Sequence, residues 1–451
     1  MSKIDRPIWG WAMYDWANSA FATVVMAGFF PIFFKQFWNY GTDVNLSTAR
    51  LGLANSIASL CVAVMAPVLG ALADQGSKKK GFLLFFACWG VLATGLLAGV
   101  GRGHWLWAVL IYAAAVIGFS GANIFYDALL PFVAGEKSLD RVSSLGYAMG
   151  YLGGGLLFLA DVALVMHPSA LGFSDAAGAI RFSFVSVAAW WGGFTLFTFF
   201  WVPEDRPVGV ARRPPRLVHA GFSQLAATFR QVRHLKTLSL FLLAYWFYID
   251  GVGTVIRMAL DYGISIGFDA GSMIVALLIV QFVGFPAALL FGRLGSRWGV
   301  RKSIFLAIGI YSAVTLAASL MTRRGEFFVL ALAIGTVQGG IQALSRSFYA
   351  RLIPARQAAQ FYGFYNMFGK FAAIIGPVLV GGVSLGVSRL LLPPAAGPAQ
   401  IRQTAHLAAR WGIASVLLLF LAGAVLLCFV DERRGRAEAA ELTTSGAPPA
   451  V

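Results

Sequence analysis

The stretch "FYDALLP" at residues 125–131 returns as "FYARLIP" at 348–354, an offset of 223. Each copy closes a long apolar run. A second pair sits at nearly the same spacing: "GALADQGSKKK" from Gly70 and "GRLGSRWGVRK" from Gly292 are 222 residues apart. Both members of each pair hold the same place within their half of the chain. Two matches at nearly one offset point to duplication of a single long unit.

Composition says what that unit is. Of the 451 residues 59% are hydrophobic and only 12% charged, about half the roughly 25% charged share of soluble domains. A spanning helix needs about 20 predominantly apolar residues, and twelve runs qualify: 9–35, 49–73, 81–101, 104–133, 143–166, 179–202, 237–260, 270–292, 301–321, 326–353, 358–385 and 405–430. Six fall in each half. The first carries Asp15 and lacks a clear small-residue cleavage site, so it reads as a spanning helix and not as a signal peptide. The expected fold is all-α and membrane-embedded: twelve transmembrane helices in two six-helix pseudo-repeats, the major facilitator arrangement. The expected organisation is an N-terminal bundle (1–202), a cytoplasmic linker (203–236), a C-terminal bundle (237–430) and a disordered cytoplasmic tail (431–451).

The net charge of +16 invites a nucleic-acid partner, but the basic residues lie in short loops between apolar runs. With the N-terminus inside, cytoplasmic segments hold 23 of the 35 lysines and arginines and the opposite side nine. Lys/Arg bias of this kind sets orientation, so both termini are expected in the cytoplasm and no nucleic acid is needed to explain the charge. The linker opens on "PEDRPVGVARRPPR". It continues with Leu217, Phe222, Leu225, Phe229 and Val232 at near-helical spacing among Arg230, Arg233 and Lys236, the pattern of an amphipathic helix on anionic lipid. Cys61, Cys88 and Cys428 each lie in an apolar run and form no C-x-x-C pair; the five histidines fall in loops or near run ends without metal spacing. Neither a metal nor a cofactor is expected.

The loop from Gly70 resembles the signature G-x-L-a-D-r-x-G-r-[RK] between the second and third helices of major facilitators. Gly70, Leu72, Asp74 and Lys78–Lys80 match, Gln75 stands for the usual arginine, and Ser77 stands where glycine is expected. The second copy keeps Gly292, Leu294, Arg297, Gly299, Arg301 and Lys302, with Ser296 in place of the acid. In that superfamily the acid meets a helix N-terminus of the other half and latches the cytoplasmic side, an attraction the helix dipole supports. The resemblance thus assigns gating to Gly70, Asp74, Gly292 and Arg297. More narrowly, "YDWANSAFATVV" (14–25), "YWFYIDGVGTVI" (245–256), "GGIQALSRSFYARLIP" (339–354) and "FYGFYNMFGKFAAIIGP" (361–377) resemble the vacuole-effluxer branch, which comprises fungal autophagy-associated vacuolar amino-acid effluxers and bacterial relatives. The resemblance implies a monomeric secondary transporter in a bacterial inner membrane, with amino-acid efflux as its activity.

Polar residues repeat along five runs at helical spacing: Asp15, Asn18 and Ser19; Asn123 and Asp127; Asp250, Thr254 and Arg257; Gln338, Gln342 and Arg346; Tyr362, Asn366 and Lys370. Lipid cannot hydrogen-bond such stripes, so they face other helices or water. In the major facilitator plan the first, fourth, seventh and tenth helices line the central cavity. The expected substrate-binding residues are therefore Asp15, Asn18, Asn123, Asp250, Gln338, Gln342, Arg346, Asn366 and Lys370. Arg346 and Lys370 would take an anionic group. Asp250, Asp15 or Asp127 would take an amino group or carry a proton, since burial raises a carboxyl pKa toward neutrality. Both signs of charge in one cavity suit a zwitterion. Plainer readings stand beside these: interface anchors for Asp15 and Asp127, neutralisation of Arg257 by Asp250, and a cation partner for Asp161. Gly150, Gly153, Gly154 and Gly155 lie inside a run with no phosphate-loop lysine, so they read as helix packing. Rival functions are a lipid, sugar or drug carrier of the same fold, a non-transporting sensor, and a membrane enzyme; the last lacks any surface cluster of catalytic residues.

Overall fold

The computed structural model describes residues 5–42, 44–76, 78–203, 229–265, 270–321, 323–372, 375–391 and 397–444, and every regular element among them is helical. Eleven helices are long and apolar enough to cross a membrane, and one more, Val44–Gly76, carries the shorter apolar stretch Ile57–Gly70. In chain order these are α1 (Arg6–Trp38), α2 (Val44–Gly76), α3 (Lys79–Gly99), α4 (Trp105–Val133), α5 (Leu139–Met166) and α6 (Ala176–Trp201), then α7 (Lys236–Ser265), α8 (Ala270–Trp298), α9 (Val300–Leu320), α10 (Arg324–Arg351), α11 (Ala355–Leu391) and α12 (398–428). Helices are what such apolar runs must form, because each backbone N–H and C=O needs a partner within its own segment. Local signals set their ends. Asp175 Oδ1 accepts the Gly178 N–H at 2.8 Å to start α6, an N-cap. Gly299, at φ +94°, turns α8 into α9, a conformation that lacks a penalty only without a Cβ.

The two six-helix halves follow the repeat. In the first, α1 packs on α5 and α6, and α3 on α4; in the second, α8 packs on α10, and α12 on both α7 and α11. Two seams join the halves, α2 against α11 and α5 against α8. The repeated loop glycines sit on these seams. A Cβ on Gly70 would lie 2.1 Å from the Ala359 carbonyl oxygen, and one on Gly292 would lie 2.7 Å from Ser144 Cβ. Each marks the place where the second helix of one half presses on the start of the fifth helix of the other. The glycines of α5 pack against α1 in the same way: a Cβ on Gly153 would approach the Trp16 carbonyl to 2.6 Å, and one on Gly154 would approach Thr23 Oγ1 to 2.7 Å. Absence of side chains there lets the helices approach closely.

Two features differ from expectation. The run 358–385 is not one uniform helix: α11 comprises Ala358–Phe371 and Ile375–Leu391, with residues 373–374 outside the described set. The tail is not disordered from residue 431; Glu432–Thr444 forms a further helix, α13. Its acids find partners on the bundle, Glu432 with Arg351, and Glu438 with the Thr237 backbone N–H at 3.1 Å, while Arg436 of the same helix also pairs with Glu432. The start of α1 and α13 share one face of the molecule, here termed the terminal face. Most of the expected linker helix, residues 204–228, lies outside the described residues; residues 229–234 are helical.

Candidate functional site

Between the halves lies a cavity of about 500 Å³, within the range of small-molecule sites. Along α10 its lining runs from Arg346 near the terminal face to Phe327 at the opposite end, about 28 Å at 1.5 Å per residue. The end toward Phe327 is apolar, with Met273, Leu277, Val314 and Leu330 on its walls. The end toward Arg346 is polar and holds Asp15, Asn18, Asn123, Asp127, Gln338 and Asn366. Gln342 also lines it. α1, α4, α10 and α11 thus bring most of the striped residues together, as their spacing predicts.

Arg346 closes the polar end. Its Nη1 donates to Asp127 Oδ1 at 3.1 Å and lies 3.7 Å from Asp15 Oδ2. Nε donates to Ser143 Oγ at 2.9 Å and Nη2 to the Ser143 carbonyl at 2.8 Å. The guanidinium also lies over the rings of Trp11 and Tyr147, 4.8 and 4.4 Å from their centroids, where cation–π attraction adds to the ion pair. One side chain of the C-terminal half therefore grips α1, α4 and α5 of the other. The acids are held in turn. Tyr126 donates its hydroxyl to Asp15 Oδ2 at 2.9 Å, and Asn366 donates to Asp127 Oδ2 at 3.2 Å. Gly146 leaves the space for this: a Cβ there would fall 2.6 Å from the Tyr126 hydroxyl. Above, Asn18 donates to Asn123 Oδ1 at 2.6 Å within the N-terminal half, while Gln281 of α8 donates to Thr23 of α1 across the halves.

Other expected residues lie elsewhere. Asp250 is fully buried and accepts the Gly376 N–H at 3.0 Å and the Thr254 hydroxyl at 3.3 Å. It sits at the crossing of α7 and α11 and does not line the cavity. Gly376 has no side chain to interpose, which is how the two helices approach closely enough for that bond. Lys370 is half-buried and is likewise off the cavity lining. The side chain of Arg257 lies outside the described residues. Asp161 faces Ser186 of α6, whose hydroxyl reaches both its oxygens at 3.0 Å, and among the described residues it has no cation partner. Helical spacing places a group on a face; it does not say which neighbour covers that face.

On the terminal face Asp74 accepts the backbone N–H groups of Ala359 and Gln360 at 3.2 and 2.7 Å and pairs with Lys79 at 3.0 Å. The loop acid of one half meets the start of a helix in the other, the contact the loop signature implies. Arg297 is exposed and outside this contact. The second seam uses a different acid. Asp140 of α5 accepts from Ser347 at 2.7 Å and from Arg351, which also reaches Glu432. Arg436 then joins Glu432 to Glu136 of the first half. No polar stripe marks Asp140 or Arg351. Their signal is the repeat itself, since "FYARLIP" carries Arg351 where "FYDALLP" has Ala128.

Two pseudo-repeated six-helix halves around a central cavity, closed on one face by contacts between them, define a transporter of the major facilitator type, not an enzyme. More narrowly, the chain belongs to the vacuole effluxer Atg22-like family, whose pattern matches residues 4–385. It is 38% identical to the uncharacterised MFS-type transporter YxiO of Bacillus subtilis (strain 168), over 96% of both chains. It is 23% identical to autophagy-related protein 22 of Yarrowia lipolytica, over 86% of this chain and 76% of that one. Among solved structures, the human organic anion transporter MFSD10 (TETRAN) superposes with a TM-score of 0.69 at 14% identity, covering 95% of this chain and all of that one. The proton:xylose symporter XylE does so at 0.65 and 12%, covering 97% of each. At such identities the structures show the fold alone.

Proposed function

We propose that the protein is a monomeric secondary transporter that moves a small zwitterion of the amino-acid class by alternating access, with the halves rocking about the central cavity. The observation that carries this is the cavity's composition: carboxylates, a guanidinium and amides at one end, and an apolar chamber wide enough for a side chain at the other. The Lys/Arg asymmetry supports a cytoplasmic terminal face in a bacterial inner membrane, so that the face held closed by contacts between the halves is the cytoplasmic one. The Atg22-like family supports export as the direction. Asp15 and Asp127, close to Arg346 across the halves, are the acids positioned to exchange a proton when that contact opens.

Counterflow in proteoliposomes holding the pure protein tests this reading. Vesicles preloaded with an unlabelled apolar amino acid are expected to accumulate the labelled one, with a rate that depends on an imposed pH gradient. Failure of every amino acid to exchange, with the protein folded and monodisperse, rejects the cargo class and leaves lipids and amphipathic drugs as the next cargoes to try. Exchange indifferent to the pH gradient rejects proton coupling alone.

A further inference from the structure

The polar end of the cavity has unequal charges. Among the described residues lining it, the ionisable side chains that ordinarily carry charge are Asp15, Asp127 and Arg346, two acids to one base. Their bonding is unequal too. Arg346 spends Nε and Nη2 on Ser143 and Nη1 on Asp127, so each of its nitrogens already bonds the protein. Asp127 has both oxygens engaged, Oδ1 by Arg346 and Oδ2 by Asn366. Asp15 has only Oδ2 engaged, by Tyr126 at 2.9 Å and more distantly by Arg346. Its Oδ1 accepts no hydrogen bond among the described residues. Asp15 lines the cavity and its side chain retains 13% exposure there. At this end, then, a carboxylate oxygen stands without a partner among the described residues, whereas every nitrogen of the guanidinium has one.

We propose that the group by which the protein recognises its cargo is a protonated amine, which donates to Asp15 Oδ1, and that Arg346 is the clasp between the halves and not the anchor of a cargo carboxylate. This rests on the reading of the cavity as the cargo site and narrows its chemistry. A carboxylate entering the same end meets a net negative surround and an arginine that is 3% exposed with every nitrogen already bonded. An ammonium instead gains a charge-assisted hydrogen bond to an oxygen that lacks one, and the aromatic walls contributed by Phe119 and Tyr151 suit its flanking CH groups.

The test uses the purified full-length protein and three probes of one shape: L-leucine, L-leucinamide (amine kept, carboxylate masked) and N-acetyl-L-leucine (carboxylate kept, amine masked). Binding is read as ligand-induced thermal stabilisation. Leucinamide is expected to bind within a few-fold of leucine, and N-acetyl-leucine about 10- to 100-fold more weakly, the share of a hydrogen bond to a charged group. Asp15→Asn is expected to abolish the leucinamide response, Asp15→Glu to retain part of it, and Asp161→Asn, a buried acid off the cavity, to leave it intact. Because the readout is a melting curve, a variant that fails to fold reveals itself, and the three probes on the native protein decide without any variant. Stabilisation by leucine and N-acetyl-leucine but not leucinamide overturns the inference while the amino-acid cargo stands. Stabilisation by leucinamide alone upholds the inference and rejects the zwitterion. Stabilisation by none of the three rejects both.

Discussion

Arg346 is 3% exposed, and its partners belong to the other half. Removing one member of a buried ion pair leaves the other charge uncompensated, at roughly 3–5 kcal/mol. Arg346→Ala is thus expected to lower the melting temperature and abolish counterflow. Arg346→Lys is expected to rescue poorly, because an ammonium cannot reproduce the forked contact with Ser143 and Asp127. The double variant Arg346→Ala/Asp127→Asn is expected to lose less than the sum of its single variants, a coupling that melting curves of all four proteins measure; strict additivity would mean the two residues do not act as a pair. At this scale the sequence is legible in part. The stripes on α1, α4 and α10 identify residues that do meet, because a polar group in an apolar run has few places to go. Asp250 shows the limit: its stripe resembles the others, but Gly376, more than a hundred residues away, supplies the N–H that holds it outside the cavity. Asp15 and Tyr126 show the converse, since nothing in either stretch says that Gly146 makes room for their bond.

Helices, unlike the partners of single residues, are written in local composition, and each of the twelve apolar runs is built of helix over its described residues, the run 358–385 in two segments. Their crossings are written in glycine. Gly70 meets the Ala359 carbonyl and Gly363 meets the Ala66 carbonyl, at 2.1 and 2.4 Å from an added Cβ. Both approaches are to backbone, so a methyl group cannot be absorbed by turning a side chain. Gly70→Ala is expected to push α2 from α11, at about 1–3 kcal/mol for overpacking, and to draw Asp74 away from the Ala359 and Gln360 N–H groups. Gly81→Ala, whose nearest neighbour lies 3.9 Å away, is the control. The contrast is measured by the melting temperature together with labelling of a cysteine introduced at Gln360, which is buried in this state. Equal labelling in the two alanine variants would show that the seam does not depend on the missing Cβ. The helix α13 lies at the other limit of legibility. "AEAAEL" (437–442) is built of good helix formers, but its charged residues read equally as a solvated tail, and only the folded bundle supplies Arg351 and Thr237 for its acids.

For the whole molecule, the terminal face is held by two unlike latches on pseudo-equivalent seams. On the first, Asp74 engages main-chain N–H groups, an interaction of charge with helix dipole that draws on no second ionised residue in the opposite half. On the second, a chain of side-chain charges runs from Asp140 through Arg351, Glu432 and Arg436 to Glu136, and α13 contributes its middle links. The exposed members of such a chain gain little individually, but Asp140 and Arg351 are 2% and 10% exposed, so their contact is retained when the outer links go. Deleting residues 432–451 is therefore expected to loosen the closed face without unfolding the bundle. Spin labels at Lys137 and Arg356, exposed sites on opposite halves, are expected to report a broader distance distribution with a longer component. Added salt is expected to widen it in the intact protein and to change it less in the truncated one, because salt screens the exposed links that truncation has already removed. An unchanged distribution after truncation would mean that the Asp74 contact and the Arg346 clasp hold the face closed without α13. Counterflow of the truncated protein then separates the remaining cases: a shift toward the open face that speeds exchange identifies α13 as a brake, and one that slows it identifies closure of this face as the step that transport needs.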